Sequence, residues 1–168
     1  MMFAAAGVAH ARPATVENVK RVELNVHGEI AQFCALGAID DMSFGDLTRQ
    51  NLSRKARVAL SCNVPFEMDI RAANGGLAND RYPQGQGPYS GTLPYTLDVS
   101  IPVLRPQSGV VSRSFTSREL MGGTAVSSAG GIALDGMDLT LSLGQPSSDA
   151  GLLAGNYADT IVITVAPS

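Results

Sequence analysis

Tryptophan is absent from this chain of 168 residues, lysine occurs only at Lys20 and Lys55, and histidine only at His10 and His27. With so little lysine and a formal net charge of −3, no basic stripe is available to neutralise phosphates, so nucleic acid is not an expected partner. The local cluster Arg49, Arg54, Lys55 and Arg57 lacks the interleaved aromatics of a nucleic-acid surface and reads as a solvated strand edge. Two histidines and two cysteines, Cys34 and Cys62, are a thin supply of bases, nucleophiles and metal ligands. No Gly-x-Ser-x-Gly elbow, Walker A loop or His-Glu-x-x-His pair occurs. Asp40-Asp41 and Asp135-Gly136-Met137-Asp138 lack the spaced acids and closing glutamate of an EF-hand, and read as turns. These absences point to a non-enzyme with no catalytic residues, no metal and no cofactor. No apolar run reaches the roughly 20 residues that cross a membrane as a helix, so the chain is not expected to span one.

What the sequence does hold is apolar content and punctuation. Apolar residues make up 45% of the chain, enough for a core, and 18 glycines and 9 prolines supply turns. Helical periodicity is hard to find, whereas short alternating runs bounded by Gly, Pro, Asn and Asp recur, which is the pattern of an antiparallel all-β sandwich. The clearest run is Arg21–Ile30: Val22, Leu24, Val26, Gly28 and Ile30 lie on one face, and Arg21, Glu23, Asn25, His27 and Glu29 on the other. Strands are also expected at Met42–Leu47, Ala56–Cys62, Phe66–Ile70, Thr92–Val103, Gly109–Phe115, Leu139–Leu143 and Tyr157–Val165, and less clearly at Ala125–Leu134, where Gly130-Gly131 interrupts. Two stretches, Asn74–Gly91 and Gln145–Asn156, have the composition of surface loops.

The first eleven residues, MMFAAAGVAHA, are small and apolar and end in Ala9-His10-Ala11, resembling the end of a secretory signal cleaved before Arg12. Export would place Cys34 and Cys62 in an oxidising compartment, where they are expected to form a structural disulfide; in a cytosolic protein they would be two buried thiols.

Taken in order, these elements resemble a known family. Val22-Glu23-Leu24-Asn25-Val26-His27-Gly28-Glu29-Ile30 followed by Cys34 is similar to the N-terminal extension of bacterial pilins assembled by the chaperone–usher pathway. Met42-Ser43-Phe44-Gly45-Asp46-Leu47 resembles the Phe-Gly signature of the spore coat protein U-like domain, which includes subunits of archaic chaperone–usher pili. Leu93-Pro94-Tyr95-Thr96-Leu97 resembles that family's central strand, and Gly155-Asn156-Tyr157-Ala158-Asp159 followed by Thr160–Val165 its C-terminal strand. The likeness runs from about residue 20 to the C-terminus and is weakest over Val103–Leu134.

The resemblance implies an immunoglobulin-like antiparallel sandwich that lacks its last strand. Residues 1–11 would be a signal remnant, 12–30 a donor-strand extension and 31–168 the pilin-like domain. Val22, Leu24, Val26 and Ile30 would enter a neighbour's groove, with Gly28 admitting a bulky group against the backbone. Tyr157, Ile161, Ile163 and Val165 would line the receiving groove. The implied partners are a periplasmic chaperone, an outer-membrane usher and neighbouring pilin subunits, and the implied location is a fimbria at the cell surface. Three other readings stay open at this point: a run that folds into the groove of its own chain, a secreted, self-contained sandwich that binds carbohydrate or a surface through its Gly75–Gly91 loop, and a coat structural protein.

Overall fold

Alternating apolar residues become strand here wherever one face reaches a common core. The computed structural model describes residues 21–168. The signal-like residues 1–11 and the part of the extension from 12 to 20 lie outside the described residues. Twelve strands follow in chain order: β1 (Cys34–Leu36), β2 (Ser53–Val58), β3 (Leu60–Cys62), β4 (Phe66–Ala72), β5 (Leu77–Asn79), β6 (Thr92–Leu93), β7 (Tyr95–Leu104), β8 (Ser108–Thr116), β9 (Thr124–Ser127), β10 (Met137–Leu143), β11 (Tyr157–Ala158) and β12 (Ile161–Pro167). One short helix, α1 (Ser117–Met121), joins β8 to β9.

Every strand pair is antiparallel. The larger sheets run β2-β10-β7-β8 and β12-β4-β9; two small ones run β1-β3 and β11-β5-β6, and none closes into a barrel among the described residues. Phe66, Met68, Ile70 and Ala72 of β4 meet Tyr95, Leu97, Val99 and Ile101 of β7 and Met137, Leu139 and Leu141 of β10 in one buried cluster. Their alternation with exposed Glu67, Asp69 and Arg71 fixes the register of β4, because a one-residue slip would bury three charges. The chain divides after Ile30, and Ala31–Ser168 forms one unit.

Several expected strands are broken by particular residues. Met42–Leu47 forms no strand: Asp46 accepts hydrogen bonds from the Thr48 amide (2.9 Å) and hydroxyl (2.8 Å), and Gly45 sits at φ +69°. This side-chain turn competes with a ladder, leaving Phe44 as the segment's one buried residue. The run Tyr157–Val165 splits at Asp159-Thr160 into β11 and β12, which belong to different sheets. The Ala125–Leu134 run ends early, as Ala129 (φ 51°) and Gly130 (φ 81°) turn the chain. Residues 21–30, the most regular alternation in the sequence, form no strand.

Helix α1 was not expected from periodicity, yet its start is written locally. Thr116 accepts from the Glu119 amide (3.3 Å), and the Glu119 carboxylate accepts from the Thr116 amide (2.7 Å), a reciprocal cap that anchors buried Leu120.

Cys34 and Cys62 are bonded and lie directly opposite each other in the β1–β3 pair, with Cα atoms 4.0 Å apart. The bridge closes a loop with a sequence separation of 28, worth about 3–4 kcal/mol on the loop-entropy account. Replacing both cysteines by alanine should therefore lower the unfolding free energy by about 3 kcal/mol, read from denaturant midpoints at unchanged slope.

Candidate functional site

Strand β12 lies at the edge of its sheet and pairs with β4 alone among the described residues. The bonds Ala73 N–H to Thr160 O (3.0 Å) and Ser168 N–H to Pro65 O (3.0 Å) set the phase of that ladder. They put the even-numbered residues of β12 in hydrogen-bonded positions. The amides and carbonyls of Ile161, Ile163 and Val165 consequently point away from β4. The side chains of the same three residues turn inward and are half-buried against the core.

Across from this edge runs Leu36–Met42. Gly37 is tied to Ala59 by an N–H to O bond of 2.7 Å, and beyond it no backbone bond joins residues 38–42 to β12 among the described residues. Between the two lies a cleft of about 400 Å³. Ile161 and Ile163 line one side, Leu36, Ile39 and Met42 the other, and Tyr95, Leu97, Met137, Leu139 and Leu141 lie beneath. The cleft leads from the surface toward core residues that are themselves only 0–6% exposed, and beside it stand main-chain donors and acceptors of β12 with no partner among the described residues. A second, wider cleft of about 1130 Å³ continues from it, sharing Asp41, Met42, Phe44, Leu77, Asp159 and Thr160 and extending along 143–158.

Asp159 holds the upper end of the groove in place. Its carboxylate accepts from the amides of Asn74 (2.9 Å), Gly76 (3.3 Å) and Thr160 (2.8 Å) and from the Tyr95 hydroxyl (2.9 Å). The bond to Tyr95 ties the start of β12 to β7 in the opposite sheet. Burial, reinforced by the hydrogen bond and charge of Asp159, pushes the Tyr95 hydroxyl well above its ordinary titration range. A raised folded-state value means that the stabilisation is complete below the ordinary tyrosine value of about 10 and is lost as pH climbs beyond it. Tyr95→Phe should cost about 1 kcal/mol at neutral pH, and the gap between it and wild type should shrink above pH about 10 in chemical denaturation.

The other expected site residues fall as follows. Tyr157 is on β11, not on the inward face of β12; its hydroxyl donates to Leu153 O (2.6 Å) and Ser90 O (3.2 Å), pinning the 145–156 loop, and it borders the wider cleft. Val165 packs on the core at the far end of β12, beyond the residues that line the narrower cleft. Val22, Leu24, Val26 and Ile30 are 83–87% exposed, and Gly28 has open space around its Cα. Arg57, in the basic cluster, pairs with Asp135 (3.1 Å) and Asp138 (3.2 Å), while the Arg54 guanidinium lies 5.8 Å from the Phe44 ring centre. Sequence reasoning missed the segment Leu36–Met42 and the place of Tyr95, Leu139 and Leu141 beneath the cleft, since alternation announces core residues without saying which of them border a cleft.

No described helix is long and apolar enough to cross a membrane. The described residues form a mostly β, antiparallel body with an apolar-lined cleft beside an edge strand. No protein-family model, no curated protein and no solved structure matches the chain.

Proposed function

We propose that this chain is a structural subunit of a surface filament, an incomplete immunoglobulin-like sandwich whose groove receives the N-terminal run of a neighbouring copy. The observation that carries this reading is the coexistence of two complementary defects in one chain. One is a strand edge beside an apolar cleft at Ile161 and Ile163. The other is a strand-like run whose four large apolar side chains, Val22, Leu24, Val26 and Ile30, are exposed. Either alone would be a liability in a soluble protein, and each supplies what the other lacks.

The chemistry of such a joint is strand addition. The outward amides and carbonyls of Ile161 and Ile163 bond to the incoming backbone, and Val22, Leu24, Val26 and Ile30 seat on the core beneath. Extended, the ten residues Arg21–Ile30 reach about 33 Å, longer than the about 23 Å of the seven-residue β12, so the excess would continue into the wider cleft. Glu23, Asn25, His27 and Glu29 would face water.

The disulfide and the signal-like start support export through the periplasm to the cell surface. Before assembly the open groove needs a temporary cover, the role of a periplasmic chaperone, and release to the next subunit is the role of an outer-membrane usher. The test is the size distribution of the purified full chain: wild type should form multimers that survive dilution, and the variant Leu24→Asp/Val26→Asp should not. A wild-type chain that stays a stable monomer would overturn the reading.

A further inference from the structure

A chain that carries both an open groove and a run able to fill it has a choice between joining a second copy and closing on itself. We propose that Asn63 is the positioning residue that decides this choice in favour of a second copy, an inference that rests on the strand-addition reading above.

The β1–β3 register pairs Cys34 with Cys62, so the next pair outward is Phe33 with Asn63. Asn63 extends the ladder there with its side chain as well as its backbone. Its amide donates to Phe33 O (3.1 Å), its Oδ1 accepts from the Phe33 amide (2.9 Å), and its Nδ2 donates to Ala31 O (2.9 Å). Together with the adjacent disulfide, these three bonds hold Ala31–Phe33 in line with β1, running away from Leu36, where the groove begins.

For Val22–Ile30 to lie in the groove of its own chain, the backbone would have to reverse within Ala31-Gln32-Phe33 and run back beside Leu36–Met42. That reversal breaks the Ala31 and Phe33 bonds to the Asn63 side chain. It also asks for a tight turn from three residues with no Gly, Pro, Asn, Asp or Ser among them. Asparagine is suited to the task because one side chain offers both an acceptor and a donor. Aspartate keeps the acceptor and loses the bond to Ala31 O, and alanine loses both.

The experiment compares full-length wild type, Asn63→Ala and Asn63→Asp by size analysis, with elastase digestion of the monomer fraction to report whether Val22–Ile30 is covered. Loss of the side-chain bonds should raise the fraction of closed monomers, with the run protected, about tenfold or more in Asn63→Ala and by less in Asn63→Asp. A merely structural role would change stability without producing a monomer whose run is protected. If Asn63→Ala does not fold, Gln32→Gly, at an exposed position that frees the turn while leaving Asn63 intact, should shift the population the same way. Wild-type multimers with unchanged distributions in the folded variants would overturn the role of Asn63 while leaving strand addition between copies standing. Absence of wild-type multimers would overturn both.

Discussion

A chain carrying Leu24→Asp and Val26→Asp will remain a single subunit at concentrations where wild type forms multimers. Both side chains are 83% exposed in the chain itself, so the exchange removes no packing from the subunit and its own stability should stay within about 0.5 kcal/mol of wild type. The effect falls on the joint. Seating a valine or leucine on an apolar floor is worth about 1.5–3 kcal/mol, so losing two of four such anchors removes about 3–6 kcal/mol, or two to four orders of magnitude in association. Carboxylates placed over Leu97, Leu139 and Leu141 would add a desolvation cost with no partner to offset it. Sedimentation velocity at matched concentration reads the result directly. Multimers of wild-type size in the double variant would mean that the run does not form the joint.

Much of the architecture was legible because burial has one period here. The faces Phe66-Met68-Ile70 and Leu139-Leu141 were readable as strands from alternation, and both lie in the common core. The disulfide was legible from the signal-like start that implied export. Less legible were the places where a polar side chain overrides the alternating pattern. Asp159 binds three amides and a tyrosine hydroxyl and thereby splits one expected strand into β11 and β12. Asp46 does the same to Met42–Leu47 through Thr48. The short strand β5 inside the Asn74–Gly91 stretch was hidden because its two-residue pairings with β6 and β11 depend on contacts far along the chain. The resemblance implies a groove along the C-terminal strand and names residues on that side only; of these, Ile161 and Ile163 border the narrower cleft. Its opposite side, Leu36–Met42, carries no alternation, and residues 38–42 belong to no strand among the described residues.

Donor and acceptor faults placed in separate chains should rescue each other once and no further. Ile163→Asp puts a charge on the inward face of β12 at the groove while leaving residues 21–30 untouched. Leu24→Asp/Val26→Asp leaves the groove intact and disables the run. Alone, neither variant should form multimers. Mixed, the intact run of the first fits the intact groove of the second, and the pair so formed has a damaged run at one end and a damaged groove at the other. The expected product is therefore a one-to-one pair with no longer species at any mixing ratio, resolved by native mass spectrometry. Ile163 is half-buried and sits in the β12–β4 ladder, so an intact disulfide and a wild-type circular dichroism spectrum must first establish that the variant is folded. If the residue 21–30 run were instead an ordinary first strand of a complete domain, the two faults would lie in the same self-contained fold and mixing would change nothing. If association were unspecific adhesion between exposed apolar patches, the mixture would give a spread of sizes. Termination at two is the outcome that requires one directional joint per chain, with the run of one copy and the edge of β12 in the next as its halves.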